Sequence, residues 1–345
     1  MGHAYKQHNV KIHNKTLIKE IVWKRGPLSK PEIAEISSLS LPTVSKIVNE
    51  LSTDHLFIEH QLLQAQGVGR KPKTYTINEE YQLNVEMYFQ HDHWRCCTSN
   101  MIGKIVNDVQ LPALADTTDM QYQLLEDGIR DAMKNVPNVM GIGVGVPGVV
   151  SQDGIVSNIP QLEELEGLNL VEKLHEKFDC PIYVENDVKL MTIGYHNNKL
   201  ENHDNIVFLY IGSGIGAGIL IDGHLYKGST NFAGEFGYIV TDVDSGHSME
   251  EQLTRLEASA EPEKAREDLL KTVAVALNNC ICFFNPEAVV LSSPLIYEED
   301  LPRLRKVIAK HITPSDIPSI LLETHDFGME GLIDQCVKIF NTGIA

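Results

Sequence analysis

Residues 211–218 read Ile-Gly-Ser-Gly-Ile-Gly-Ala-Gly, and residues 231–237 read Asn-Phe-Ala-Gly-Glu-Phe-Gly. The first block places glycine at every second position (212, 214, 216 and 218) inside an apolar run that is otherwise typical of a β-strand. Because glycine normally weakens a strand, this repeat predicts that another backbone or a ligand approaches the strand closely. The second block sets the carboxylate of Glu235 among small residues, where a polar ligand can reach it.

The length and composition of the chain are typical of a globular protein with two or three domains. It has 345 residues, of which 43% are hydrophobic. No apolar run is long enough to cross a bilayer, and the N-terminus lacks the apolar centre of a signal peptide. Six cysteines without a dense framework predict buried thiols in a reducing compartment. We therefore expect a cytoplasmic protein with no membrane contact.

Charge is distributed unevenly along the chain. Residues 1–80 contain 11 Lys and Arg against 8 Asp and Glu, whereas residues 81–345 contain 18 against 39. The head therefore carries a net charge of +3 and the body −21. A basic head on an acidic body is expected if only the head contacts nucleic acid, since the body as a whole repels phosphates.

Residues 1–80 are predicted to form a winged helix-turn-helix domain that binds DNA. A first helix is expected over Asn14–Arg25, and Ser29 with Glu32 forms a capping-box pattern that opens a second helix. Ser40 is the expected N-cap of a third helix, whose core face would be Val44, Ile47, Val48 and Leu51. The opposite face suits a major groove. Its predicted DNA contacts are Ser40, Pro42, Thr43, Ser45, Lys46 and Asn49.

A hairpin with a basic tip is expected to follow the third helix. Its strands are predicted over Leu56–His60 and Lys73–Ile77, with Gly-Val-Gly-Arg-Lys-Pro between them at residues 67–72. Such a tip is suited to a wing that enters the minor groove, where Arg70 and Lys71 would meet the negative potential of a narrow A·T tract. A solvated basic loop is the alternative interpretation.

Residues 81–345 alternate between predicted strands and helices, which indicates an α/β body. Asp222-Gly223 between apolar runs predicts a hairpin turn, and a long helix is expected from about residue 262 to Phe284. A strand over Ile182–Val184 is expected to deliver Glu185, Asn186 and Asp187 to its carboxyl end, the edge where ligands collect in α/β sheets. Asn186 and Asp187 together offer donors and acceptors for neighbouring hydroxyl groups. Asp187 could instead serve only as the N-cap of the helix that follows.

These motifs resemble the ROK family, which contains bacterial sugar kinases and sugar-responsive transcriptional repressors. The resemblance covers the glycine block, the Glu235 segment, the Glu-Asn-Asp triplet and, in the head, the Gly-Arg-Lys-Pro tip of the repressors. It implies an actin/hexokinase-like body of two lobes over residues 81–345 that senses a sugar and dimerises. In the family's kinases, the residue that matches Asp187 takes a proton from the sugar hydroxyl. The implied sugar contacts are Asn158, Asn186, Asp187, Glu235 and Glu250.

Three departures from the family pattern argue against a kinase. The glycine-rich turn that holds ATP phosphates corresponds here to residues 89–95, which contain no glycine and carry several bulky rings. The glycine cluster beside adenosine is replaced by Ser292-Ser293-Pro294. The family's structural zinc site needs a histidine where this chain has Tyr238, and residues 242–250 lack cysteine. We therefore expect no enzyme activity, no zinc and no other cofactor.

The sequence favours a repressor of carbohydrate-utilisation genes. Its expected partners are double-stranded operator DNA, a sugar or sugar phosphate, and further copies of itself in a dimer or tetramer. Two alternatives remain at the level of sequence. One is a ROK-type carbohydrate kinase with a fused DNA-binding head, and the other is a dimeric repressor that responds to no ligand.

Overall fold

The computed structural model describes residues 2–60, 73–112, 120–134, 136, 138–200, 202–241 and 243–340. The predicted wing tip, with Arg70 and Lys71, lies outside the described residues. Within them, no helix is both long and apolar enough to span a bilayer.

The N-terminal head consists of helices on a small antiparallel sheet. Its elements are α1 (Gly2–Arg25), β1 (Leu28–Ser29), α2 (Lys30–Ser37), α3 (Leu41–Thr53), β2 (Phe57–His60) and β3 (Thr74–Ile77). The sheet order is β1-β3-β2, and both pairings are antiparallel. Helices α2 and α3 and the two longer strands match the predicted positions to within a residue or two, while the short strand β1 was not predicted.

The start of α1 differs from the prediction, which placed it at Asn14. The helix begins at Gly2, because residues 3–13 contain neither proline nor glycine to end it. Lys11 and Lys15 also tie this helix to α3 through ion pairs with Glu50, at 3.1 and 3.3 Å.

Both predicted helix caps in the head are present. The Ser29 hydroxyl accepts the backbone N–H of Glu32, whose carboxylate accepts the Ser29 N–H at 2.7 Å. The Ser40 hydroxyl accepts the N–H of Thr43 at 3.4 Å. These bonds satisfy N–H groups that a helix cannot pair internally, and each is worth about 1 kcal/mol. They fix where α2 and α3 start.

The first lobe of the body is built on a mixed five-stranded sheet of order β10-β7-β4-β5-β6. The lobe contains β4 (Leu83–Gln90), β5 (His93–Asn100), β6 (Ile105–Gln110), α4 (Gln121–Lys134), β7 (Val139–Val146), β8 (Val149–Val150), β9 (Val156–Ser157), α5 (Leu170–His175), β10 (Ile182–Asn186) and α6 (Asp187–Lys199). Strands β10, β7 and β4 run parallel to one another, whereas β4, β5 and β6 form an antiparallel meander.

The second lobe repeats the plan with a sheet of order β13-β12-β11-β14-β15. It contains β11 (Ile206–Ile211), β12 (Ile215–Ile221), β13 (His224–Leu225), α7 (Met249–Glu257), α8 (Pro262–Phe284), β14 (Ala288–Ser292), α9 (Leu301–Ile308) and β15 (Ser319–Glu323). The C-terminal helix α10 (Gly328–Phe340) returns to pack on the first lobe. Strands β11, β14 and β15 are parallel. The predicted helix from about 262 to 284 and the Asp222-Gly223 turn are both confirmed, the turn by φ values of 51° and 71°.

The alternating glycines span the turn and the second strand of the β11–β12 hairpin. Gly212 and Gly214 form the turn between β11 and β12, where the Gly212 N–H donates to the Gly214 carbonyl at 2.9 Å. Gly216 and Gly218 lie in β12 and face α6. A Cβ on Gly218 would overlap the Thr192 hydroxyl, and one on Gly216 would lie 3.1 Å from Val188. The predicted close approach at these two positions is therefore made by a packed helix.

Helices α6 and α10 pack against each other at glycine contacts. A Cβ on Gly331 would overlap the Leu190 carbonyl, and one on Gly194 would overlap the Phe327 carbonyl. Helix α6 begins at the carboxyl end of β10, and α10 lies across β4 and β7. The glycines thus allow two helix backbones to approach closely beside the cleft between the lobes.

A single buried apolar cluster joins the head to the first lobe. Its head members include Ile18, Val48 and Ile77, and its body members include Met101, Met140, Leu190, Leu332, Ile333 and Phe340. Separate clusters fill the remainder of the first lobe and the second lobe. The end of α10 therefore shares a buried core with the head.

Candidate functional site

The carboxyl ends of parallel strands from both lobes meet at one cleft. Residues directly after β7, β10, β11, β14 and β15 line two adjoining cavities. Ligands bind at this edge in open α/β sheets, because backbone groups and helix N-termini are exposed there. The sequence predicted this location for Asp187, and the structure extends it to strands of the second lobe.

The structure brings together all five residues predicted to contact a sugar. Asn158, Asn186, Asp187, Glu235 and Glu250 line the smaller cavity, which has a volume of about 80 Å³. They come from the loop after β9, the end of β10, the start of α6, the turn before Phe236 and the first turn of α7. Amide and carboxylate groups from five segments converge here, as a ligand with several hydroxyl groups requires.

Asn186 caps α6, a role that the alternative interpretation gave to Asp187. The Asn186 side-chain oxygen accepts the Lys189 N–H at 2.9 Å, and its amide nitrogen donates to the Gly148 carbonyl at 2.7 Å and to Asp187 at 3.0 Å. Asp187 Oδ1 also accepts the N–H of Val188 at 2.7 Å. Asn186 is therefore mainly a positioning group, and Asp187 is held at the cavity without being needed as the cap.

Three carboxylates in the cleft are harder to ionise than usual. Burial, with the nearby carboxylates of Asp326 and Glu235, raises the pKa of Asp187 to about 7. Burial also raises the pKa of Glu235 and of Glu250. Perturbed carboxylates in a cleft are typical of ligand sites.

Asn158 is held in place by backbone geometry. Its φ of 53° is left-handed, a conformation that asparagine tolerates better than most residues. Glu166 accepts the N–H groups of Asn158 and Ile159, each at 3.2 Å. Gly148 has a φ of 84°, and a Cβ there would lie 2.7 Å from the Asn158 carbonyl. The tight turn at Gly148 is what lets this loop approach Asn186.

Several residues near the cleft were missed by the sequence analysis. Lys189 is buried, and its Nζ donates to the Asn231 carbonyl, while Lys227 pairs with buried Glu185. Tyr88 donates to Asp326 at 3.0 Å. Asp326 could have been found, because it follows strand β15 as Asp187 follows β10. Lys189 gives no such signal, since a lysine on a helix is ordinarily exposed.

The predicted phosphate-turn region forms the tip of the β4–β5 hairpin. His91 and Asp92 occupy the turn, and His91 has a positive φ of 58°. His91 and Asp92 line the larger cavity, opposite Ser292, Ser293 and Pro294.

The absence of zinc stays a prediction. Among the residues that the structure describes, no group of three or more His, Cys, Asp or Glu side chains is arranged to hold a metal ion. Tyr238 packs against Phe232, with ring centroids 5.5 Å apart.

The predicted DNA-contact residues form the exposed side of α3. Ser40 and Pro42 lie at its start, and Thr43 and Ser45 are half-buried beside them. Lys46 and Asn49 are exposed, and Asn49 Oδ1 accepts a hydrogen bond from Lys30 of α2 at 2.7 Å. The opposite side of α3 buries Val44, Ile47, Val48 and Leu51, as predicted. The predicted core and contact faces of this helix are therefore separated as expected.

Known proteins resemble this chain over both the body and the head. Residues 91–252 match the ROK family. The xylose repressor of Bacillus subtilis (strain 168) is 26% identical over 324 residues, which cover 83% of each protein. A ROK family transcriptional regulator, described as a homologue of the E. coli MLC protein, matches with a TM-score of 0.70 at 20% identity and covers 97% of this chain and 99% of its own.

A kinase structure matches a smaller part of the chain. A ROK family glucokinase from Streptomyces griseus, in complex with glucose and AMPPNP, has a TM-score of 0.59 at 17% identity and covers 73% of this chain and 98% of its own. The likeness confirms the predicted actin/hexokinase-like body. The family match covers the central residues 91–252 of the chain, and the likeness to a repressor and to a regulator extends over most of its length, so the chain is similar to ROK family proteins.

Proposed function

We propose that this protein is a transcriptional repressor whose winged-helix head binds operator DNA and whose cleft binds a sugar that changes that binding. One observation carries the proposal: the same chain contains a capped helix pair with an exposed polar face and a cleft lined by five amide or carboxylate side chains that can hydrogen-bond a sugar. Relatives aligned over most of the chain are named xylose repressors.

Helix α3 is the proposed recognition element. Its exposed side offers Lys46 and Asn49, which can donate to base edges in a major groove. Lys11 and Lys15 pair with Glu50 in the C-terminal half of α3. These ion pairs therefore leave the N-terminal turns of α3 accessible. Binding as a dimer to an inverted repeat would place two such helices in successive major grooves.

The proposal excludes sugar kinase activity and structural zinc. Phosphoryl transfer depends on positioning and on stabilising the charge of the phosphate groups. The tip of the β4–β5 hairpin presents an imidazole and a carboxylate where phosphate would need backbone N–H groups, and the carboxylate repels phosphate. The protein is proposed to act in the cytoplasm, where sugar and DNA are both accessible.

The first test measures DNA binding and its response to sugars. Fluorescence anisotropy should show that the full chain prefers DNA from upstream of its own gene over shuffled DNA of equal composition, at moderate salt. A panel of pentoses and hexoses should then include one that changes this affinity. Equal binding to both DNAs would overturn the proposal. Preference for the operator with no response to any sugar would favour the ligand-independent repressor.

The second test separates the repressor from the kinase. The same sugar panel is incubated with ATP and magnesium, and ADP release is followed against a glucokinase control. We expect no turnover above the rate without protein. Turnover on any sugar would favour the kinase with a fused head.

A further inference from the structure

A larger cavity opens beside the proposed sugar site. It has a volume of about 690 Å³, within the range of roughly 300–1,000 Å³ that small-molecule pockets occupy. Asp187, Gln161, Tyr210 and Ser213 line both this cavity and the smaller one, so the two are continuous. A ligand seated at Asp187 can therefore extend into the larger space.

The walls of the larger cavity combine an aromatic ring with uncharged polar groups. The half-buried ring of Tyr210 supplies aromatic surface, and Gln90, Ser292 and Thr324 supply amide and hydroxyl groups. A sugar ring has apolar C–H faces that pack on aromatic rings and a rim of hydroxyl groups that need hydrogen-bond partners. This combination is suited to a second sugar unit.

The charge of the same walls opposes phosphate. The carboxyl groups of Asp92, Glu323 and Asp326 line the cavity together with that of Asp187. Among the described residues that line it, none is lysine or arginine, and His91 is the one histidine. Since like charges repel more strongly where water is excluded, a nucleotide or a sugar phosphate is disfavoured there.

We propose that the larger cavity is a second glycosyl subsite, so that the effector is an uncharged oligosaccharide of at least two sugar units. One unit contacts Asp187 and Glu235, and the next lies between Tyr210 and the loop at Ser293 and Thr324. This inference rests on the proposed function, because it assumes that the smaller cavity holds a sugar. Beyond that function, it specifies that the effector is an oligosaccharide and that the larger cavity binds carbohydrate and not a nucleotide.

Isothermal titration of the full chain tests the subsite. The probes are xylose with xylobiose and xylotriose, glucose with cellobiose and maltose, glucose 6-phosphate, and a non-hydrolysable ATP analogue. We expect at least one disaccharide to bind roughly tenfold more tightly than its monosaccharide, because it gains several hydrogen bonds. Neither the phosphorylated sugar nor the nucleotide should bind measurably.

A variant whose side chain fills the larger cavity tests whether the second sugar unit binds there. Thr324 is exposed on the loop after β15, so Thr324→Trp can fold while its ring occupies the subsite. We expect the ratio of monosaccharide to disaccharide Kd to fall to within about twofold of unity in this variant. Thr313→Trp, at an exposed threonine outside both cavities, is the matched control and should keep the tenfold ratio.

The outcomes distinguish the inference from the function on which it rests. If a monosaccharide binds as tightly as every disaccharide, or if Thr324→Trp keeps the advantage of the disaccharide, the subsite is wrong and the proposed sugar sensor stands. Binding of the ATP analogue in competition with a disaccharide would also overturn the subsite. If no sugar of any size binds, both the subsite and the sugar-sensing function fail.

Discussion

Asp187 is the residue on which the proposed sensing depends. It is held at the cavity by hydrogen bonds from Asn186 and Val188, and burial raises its pKa to about 7. A sugar hydroxyl that donates to this side chain binds the ionised form better than the protonated form. The affinity for sugar is therefore linked to the ionisation of one carboxyl group.

We predict that the affinity for the effector sugar falls as the pH decreases through 7. Protons compete with the hydroxyl donor below the pKa, and the loss is at most about tenfold per pH unit for one site. Calorimetric titration between mildly acidic and mildly basic pH measures it. Asp187→Asn should bind weakly with little pH dependence. A parent protein whose affinity stays constant over this range would show that Asp187 does not accept the hydrogen bond.

Glu86 is a second unusual carboxyl group, and it lies outside the cleft. It is fully buried on β4, where the Ser99 hydroxyl donates to it at 2.5 Å, and burial raises its pKa to about 8. In the unfolded chain, the pKa of a glutamate side chain is about 4.3. The folded state therefore holds the proton more tightly, and folding stability falls as the pH rises from about 4.3 to 8.

We predict that Glu86→Gln stabilises the protein at pH 9 more than at pH 6. The amide cannot ionise and can still accept from Ser99, so the free energy of unfolding should rise by up to a few kcal/mol at basic pH. Urea unfolding at the two pH values measures the difference. Exposed Glu80→Gln is the control and should change little. An equal effect of Glu86→Gln at both pH values would contradict the assignment.

At the scale of elements, α3 carries the proposed DNA contact. Lys46→Ala and Asn49→Ala should each weaken operator binding by about 1–3 kcal/mol, because each removes a donor from the proposed major-groove face. Competition anisotropy against shuffled DNA measures affinity and preference together. Lys310→Ala, an exposed lysine in the second lobe, is the control. Unchanged operator affinity in both α3 variants would place the contact elsewhere.

The α6–α10 packing gives a prediction about stability. Gly331→Ala places a methyl group against the Leu190 carbonyl, so the helices must separate. Overpacking of this kind costs about 1–3 kcal/mol or more. Calorimetry should show a lower Tm for this variant. Since α6 starts at the sugar site and α10 ends beside the head, any variant that folds should also transmit the sugar response less well.

Elements with strong local signals were predictable from the sequence. The capping box at Ser29, the core face of α3 and the helix Pro262–Phe284 depend on residues close together in the chain, and all three are confirmed. The early start of α1 was missed, because its ion pairs with α3 join residues 39 positions apart. The contact of Gly216 and Gly218 with helix α6 was not identified, because it also joins residues that are distant in the chain.

The cleft was predictable in part. The triplet ending in Asp187 was found because it follows an apolar strand, and the family resemblance supplied Asn158 and Glu250. Lys189 and the acidic walls of the larger cavity were not foreseen, since their environment depends on how two lobes come together. A sequence places a residue on an element, but the facing lobe decides whether that residue is buried.

At the scale of the whole molecule, the proposed function requires coupling between two distant sites. We predict that the effector sugar and operator DNA change each other's affinity by the same factor, with a coupling of about 1–3 kcal/mol. Sugar titrations with and without saturating operator measure one side, and DNA titrations with and without sugar measure the other. A factor of one in both titrations would show that the two sites are independent and would contradict the coupling. Asp187→Ala should remove the coupling.

The buried cluster shared by the head and α10 bears on how such a chain could have arisen by the joining of two genes. A ready-made head attached to an older body would keep its own complete interior. Here Ile77 of the head shares one interior with Met101, Ile333 and Phe340 of the body. Each half therefore completes part of the interior of the other. Exchanging the heads of related proteins should therefore give a folded chimera only when the matching α10 residues are exchanged as well.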